Sequence, residues 1–198
     1  MHLICIFVAM EQVDAKVEQF CPWYAVRLFS LKLTEIEEYF KQHGYETFVP
    51  RQWQVSEGHG GKPMRQLRPV VHNLLFVKKA TDEQQMRRVV AESSYKMSVI
   101  RKTADDPAYY EIPAKQMIEF QMMCNPDITI REYLTEQEAR MKVGTEVLVK
   151  FGPLKGLSGR LVRISKKYYL LKEVPGMGVA LKVSRWCCVP IDENLTKN

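Results

Sequence analysis

Between residues 152 and 159 the chain reads Gly-Pro-Leu-Lys-Gly-Leu-Ser-Gly, with three spaced glycines and an apolar residue ahead of the last turn. Such a segment specifies backbone more than side-chain chemistry, because glycine enters left-handed conformations without steric cost and lets a neighbouring chain approach closely. Its flanks alternate, with Val147 and Val149 before it and Arg160, Val162 and Ile164 after it, as strands with one buried face do. The β-prone segments 146–151, 160–165, 168–174 and 179–183 are separated by Gly and Pro turns, so residues 141–198 are expected to form a small β-barrel. At 58 residues such a barrel is near the lower limit for folding alone.

The first part of the chain has a different rhythm. Residues 23–28 are β-prone, and Thr34-Glu35-Ile36-Glu37 has the form of a capping box, in which Thr34 and Glu37 each satisfy a free backbone N–H. Ile36, Tyr39 and Phe40 give the expected helix one apolar face, and Gly44 suits its end. Residues 45–50 read as a strand, and Gly58 to Pro63 as the tip of a hairpin whose return arm carries Arg65 and Arg68. Val70 to Val77 reads as a central strand. Thr81 or Asp82 can cap a second helix bearing Met86, Val89 and Val90, and 95–102 supplies another strand. Pro113 opens a third helix whose Ala114, Met117, Ile118 and Phe120 form a broad apolar side. The order β-α-β-β-α-β-α is that of a ferredoxin-like split βαβ arrangement with an added helix. The expected class is therefore α+β, with residues 1–21 as an extension, a domain over 22–123, a polar linker over 124–140 containing a short helix from Thr135, and the barrel over 141–198.

Charge separates the same two parts. The whole chain carries +6, yet residues 1–140 hold 18 basic and 19 acidic side chains while residues 141–198 hold 11 and 4. Salt-sensitive contacts with nucleic acid or an acidic protein should thus gather in the barrel, unless its lysines only form a solvated face. The longest wholly apolar run, Leu3 to Met10, has eight residues against the ~20 of a membrane-spanning helix. It lacks the basic start and small-residue cleavage site of a secretory signal, so a cytoplasmic protein with no membrane partner is expected. Five cysteines without C-x-x-C spacing read as reduced, mostly buried thiols, with Cys187-Cys188 as a pair within a strand. The four histidines have no metal-ligand spacing, Gly61-Lys62 is followed by Pro63 where a phosphate-binding loop needs Ser or Thr, and no G-x-S-x-G elbow occurs. No catalytic residue, metal or cofactor is expected.

The Gly152–Gly159 segment with its alternating flanks resembles the KOW motif of SH3-like barrels. Trp23-Tyr24-Ala25-Val26-Arg27, the helix after it, Phe48-Val49-Pro50, the basic Gly-rich hairpin, Arg68-Pro69 and Leu75-Phe76-Val77 resemble the NGN domain of the NusG transcription elongation factors. The long Gly-rich hairpin tip is more similar to specialised paralogues that antiterminate particular operons, such as those for capsular or exopolysaccharides.

That resemblance implies a monomer that grips the clamp helices of the largest RNA polymerase subunit and suppresses pausing or termination. The implied apolar contact patch comprises Val71, His72, Leu74, Phe76 and Met117, supported by Trp23 and Tyr24. Aspartate at Leu74 and Phe76 would then abolish binding without unfolding the domain. Asn73-Leu74 stands where the family carries a Gly-Tyr or Asn-Tyr pair, and Arg27 where a hydrophobic or aromatic contact residue occurs. Core packing is the plainer role for Trp23 and Phe48, and a surface imidazole for His72. Lys62, Arg65 and Arg68 would lie beside DNA, or simply form a solvated hairpin. In the barrel, Lys155, Arg160, Arg163, Lys166, Lys167 and Lys172, with Tyr168 and Tyr169, suit an RNA backbone with stacked bases or an acidic protein. The family's partners for this domain are the termination factor Rho and a small-subunit ribosomal protein, although Pro175-Gly176-Met177-Gly178 lacks the aromatic of the family's contact turn. A KOW-type RNA- or ribosome-binding protein acting without polymerase is the alternative.

Overall fold

The computed structural model of the protein describes residues 21–57, 63–128 and 130–191. Residues 1–20 of the expected extension and the hairpin tip with Lys62 lie outside the described residues. The chain divides into two units, one of residues 21–129 and one built from residue 130 onward.

The first unit is a four-stranded antiparallel sheet made of β1 (Trp23–Leu28), β2 (Thr47–Phe48), β5 (Leu74–Lys78) and β6 (Met97–Val99), in the order β2-β5-β1-β6. Helices α1 (Leu33–Gln42), α2 (Glu83–Glu92) and α3 (Ala114–Met123) complete it. With Ala25 opposite Phe76 and Val26 opposite Leu75, side-chain alternation sorts the central strands into two faces. Tyr24, Val26, Leu28, Leu75 and Val77 face Leu33, Ile36 and Phe40 of α1 and Met86 and Val89 of α2, all in one buried cluster. On the other face Phe76 meets Phe120 of α3 at 5.5 Å between ring centroids, and Phe48 meets Phe120 at 6.3 Å. Both faces of the sheet are thus covered. Each such fully buried side chain contributes about 1.5–3 kcal/mol.

The expected split βαβ order holds, with one addition. Strands β3 (Arg51–Glu57) and β4 (Pro63–Pro69) form a separate two-stranded ribbon between β2 and β5. The central strand begins at Leu74, not Val70, and Val71 and His72 lie in the bend before it. Asp82 caps α2 by accepting from the Gln85 N–H at 2.7 Å. The Thr34–Glu37 capping box, in contrast, does not form: α1 starts at Leu33, its N-cap is Lys32 without a side-chain bond, and Glu37 is buried against Arg51. Starting two residues earlier buries Leu33, worth about 1.5–3 kcal/mol, against the ~1 kcal/mol of a cap.

In the second unit β7 (Arg131–Thr135), β8 (Thr145–Val149), β9 (Ser158–Ile164), β10 (Lys167–Val174), β11 (Met177–Lys182) and β12 (Cys188–Pro190) form one antiparallel sheet in the order β12-β8-β9-β10-β11-β7. Val147, Leu170, Val179 and Leu181 are buried on one face; Val162, Tyr169, Leu171 and Ala180 pack with Ala139 of helix α4 (Glu136–Met141) on the other. The glycine reading of the KOW-like segment holds: Gly152 has φ +86°, and a Cβ on Gly159 would stand 2.6 Å from the Leu171 carbonyl oxygen. Cys187 closes a 3-10 turn (Arg185–Cys187) and is buried, Cys188 starts β12 half-buried, and Cys21 is exposed, so the cysteine pair is not held within one strand.

Residues 131–140 are not linker. β7 pairs along the edge of β11, and α4 packs on the sheet through Ala139. A capping box forms here: the Thr135 hydroxyl accepts from the Glu138 N–H at 3.3 Å, and Glu138 accepts from the Thr135 N–H at 2.9 Å. The Thr135 N–H and hydroxyl hold the Glu138 carboxyl below its ordinary value. A depressed carboxylate stabilises the fold above the unfolded value of about 4.3 and loses that contribution as pH falls through the folded value. Thr135→Ala should cost about 1 kcal/mol, and thermal melts against pH should show that the variant has lost part of the wild-type decline below about pH 4.3. An identical decline in both proteins would remove Glu138 from the account. Among the described residues no helix is long and apolar enough to cross a membrane, and no three His, Cys, Asp or Glu side chains gather as a metal would require.

Candidate functional site

The sequence-derived contact patch separates into two environments. Trp23, Tyr24, Leu74, Phe76 and Met117 are all buried, Phe76 and Met117 completely. Tyr24 lies in the α1/α2 cluster, with its hydroxyl 3.4 Å from Glu111, which also pairs with Lys79 at 2.6 Å. Burial, opposed in part by Lys79, pushes the Tyr24 hydroxyl up to about 12, so it stays neutral. These five side chains hold the domain together and present no surface. Val71 is half-buried and His72 exposed. They sit where the Val70 N–H donates to the Pro50 carbonyl at 2.9 Å and the Leu28 N–H to the Asn73 carbonyl at 2.9 Å. That links the root of the β3–β4 ribbon to the end of β1, beyond which Phe29 and Leu31 are exposed, Leu31 by 88%.

The ribbon itself carries an apolar face. Trp53 pairs with Leu67 and Val55 with Arg65 across the two strands, and directly opposed residues share a face. The Arg65 guanidinium stacks 4.4 Å over the Trp53 ring, whose Nε1 donates to Asp127 at 3.2 Å. Trp53 and Leu67 remain more than a third exposed and Val55 is 72% exposed. Arg68 is on the opposite face, donating to Gln66 at 3.0 Å. A two-stranded ribbon is marginal by itself, and an exposed apolar patch rimmed by cations is how interaction surfaces are commonly built. Trp53, Val55 and Leu67 were not among the expected contact residues, yet Gln-Trp-Gln-Val-Ser over residues 52–56 alternates polar and apolar and announces a one-faced strand.

In the second unit the basic residues divide too. Arg160 donates to the Ala139 carbonyl at 3.1 Å and ion-pairs with Glu173, so it ties α4 to the sheet. Lys172 donates to Ser158 at 3.3 Å, Tyr169 is buried, and Lys155 is exposed in the Gly-rich loop. Arg163, Lys166 and Lys167 are exposed together at the β9–β10 hairpin, whose turn residues Ser165 and Lys166 adopt φ +47° and +65°. Positive φ costs a non-glycine residue about 1–3 kcal/mol, and here it places Lys166 at the tip. Arg163 and Arg185 both stack on Tyr168, at 5.8 and 5.9 Å. Beside Arg185, Trp186 is 77% exposed; Phe151, which follows Lys150, whose N–H donates to the Cys187 carbonyl at 2.8 Å, is 60% exposed.

No curated protein matches the chain. A family model described as transcription termination factor nusG matches residues 22–121, just over half of the sequence, and spans the sheet, the ribbon, α1, α2 and most of α3. The chain therefore belongs to the NusG family of transcription factors.

Proposed function

We propose that this protein binds RNA polymerase through its N-terminal unit and suppresses pausing or termination, as an elongation or antitermination factor serving a particular operon. The observation that carries this reading is the ribbon: within a family domain whose sheet is covered on both faces, its apolar side chains remain exposed. Helical tips of the polymerase clamp need apolar anchors with few buried charges. Val55 and Leu67 of the ribbon, with Phe29, Leu31, Val71 and His72 around its root, meet that requirement, and they replace the buried Leu74 and Phe76 as contact residues. Arg68, on the opposite face of the ribbon, would then face nucleic acid held by the enzyme, while Arg65 rims the apolar face.

The test is retention of core RNA polymerase by the tagged full chain from lysate, with purified polymerase and a pausing template as the second readout. Wild type should retain the enzyme and shorten pauses. Val55→Asp with Leu67→Asp, both exposed positions, should lose at least about tenfold in affinity, as loss of interface anchors does, while melting as wild type. Undiminished retention by that folded variant would remove the ribbon from the interface. Wild type that retains ribosomal proteins and no polymerase would overturn the reading itself.

A further inference from the structure

We infer that Asp127 is a positioning residue for the ribbon: its hydrogen bond with Trp53 fixes the direction of the apolar face without supplying a contact to polymerase. The inference rests on the polymerase reading above and adds to it a residue outside the ribbon. Strands β3 and β4 pair with each other and with no other strand, so the ribbon leaves the sheet as an arm. An angular error at its root grows along its length. At ~3.4 Å per residue Val55 stands ~17 Å beyond Pro50, and a swing of about 20° would carry it ~6 Å from its place.

Among the described residues, two side-chain hydrogen bonds tie the arm to the rest of its unit. One is at the root, from Arg51 to Glu37 of α1. A single fixed point there leaves the arm free to rotate about it. The second point removes that freedom: on the arm's apolar face the Trp53 Nε1 donates to the Asp127 carboxylate at 3.2 Å. The other side-chain bonds, from Ser56 to Met64, Gln66 to Met64 and Arg68 to Gln66, stay inside the ribbon. Arg65, stacked 4.4 Å over the Trp53 ring, holds the indole on its face as Asp127 holds it at its N–H. Asp127 is fixed in turn by the end of α3. The Asn125 N–H donates to the Met122 carbonyl at 3.2 Å, the Ile128 N–H to the Asn125 carbonyl at 3.0 Å, and the Asp127 N–H to the Asn125 Oδ1 at 3.0 Å. Asn125-Pro126-Asp127, expected as the start of a linker, thus gives the ribbon a reference point on the helix that closes the sheet. Asp127 is exposed, so its bond supplies direction more than stability.

The experiment compares the full chain with its Asp127→Ala, Asp127→Asn and Trp53→Phe variants by polymerase binding, thermal melts, and amide residual dipolar couplings of residues 51–57 against those of the sheet. Asparagine keeps an oxygen for the indole, and phenylalanine keeps a ring without the N–H. Asp127→Ala should melt as wild type while its ribbon couplings shrink. Its polymerase affinity should fall about fourfold, as when the competent orientation drops to about a quarter of the population. Asp127→Asn should bind as wild type. In the Trp53→Phe background Asp127→Ala should cost nothing further, since both changes break the same bond. A full Asp127→Ala loss in that background, or equal losses for asparagine and alanine, would mean that the carboxylate acts by its charge or by direct contact, and would overturn the inference. So would unchanged ribbon couplings, or unchanged affinity, in Asp127→Ala. A wild type that retains no polymerase overturns the polymerase reading and the affinity claim with it, while the couplings still decide whether Asp127 aims the ribbon.

Discussion

Leu74→Asp combined with Phe76→Asp should unfold the N-terminal unit. The resemblance alone predicts a folded protein that has lost polymerase, but Leu74 and Phe76 are buried on the sheet face beneath α3. Phe76 meets Phe48 at 6.2 Å as well as Phe120 at 5.5 Å. The change removes these contacts and leaves two carboxylates in an apolar layer, each costing several kcal/mol unless protonated. Against a total stability of about 5–15 kcal/mol the sum is decisive. Loss of the cooperative thermal transition and of near-ultraviolet dichroism is the expected result. A double variant that melts like wild type and only fails to retain polymerase would show that α3 leaves this face open.

The sheet and its helices were legible because their apolar periodicities are long and regular: Ile36 and Phe40, Met86 and Val89, Met117 and Phe120 are all buried. That the face carrying Leu74 and Phe76 is closed was not legible, because Leu74 and Leu75 look alike in sequence and only α3, packed from about forty residues downstream, covers it. The two Thr-x-x-Glu signatures make the same point. Thr135–Glu138 caps α4, whereas at Thr34–Glu37 a buried leucine and a partner arginine claim the same residues. β7 escaped notice because an edge strand keeps charged residues such as Arg131 and Glu132, as edges must to avoid unwanted pairing. In the candidate site, cations were visible as types but not as roles: Arg160 is spent on Ala139 and Glu173, while Arg163 meets Tyr168. Trp186 and Phe151 belong to no periodic pattern, so only their exposure marks them.

Arg51→Met should have the next largest effect. Arg51 is the first residue of β3, and its guanidinium donates at 2.5 Å to Glu37, a carboxylate only 6% exposed on α1. A surface ion pair would matter little; this one has a desolvated acidic partner, and stripping away the cation leaves that charge unmatched. Because Arg51 itself is about a third exposed, the lower end of the usual range applies, a loss of about 3 kcal/mol. For a unit of this size that lowers the melting temperature by roughly 10 °C or more. Glu37→Leu in the same chain should restore most of the loss, since two apolar groups carry no orphaned charge. The rescued variant lacks the tie between α1 and the root of the ribbon. If the ribbon must be held in one direction to meet polymerase, that variant will melt near wild type yet retain less enzyme. Full retention would mean that the ribbon is oriented by the bond from Trp53 to Asp127 and by its partner, and that Arg51 serves stability alone.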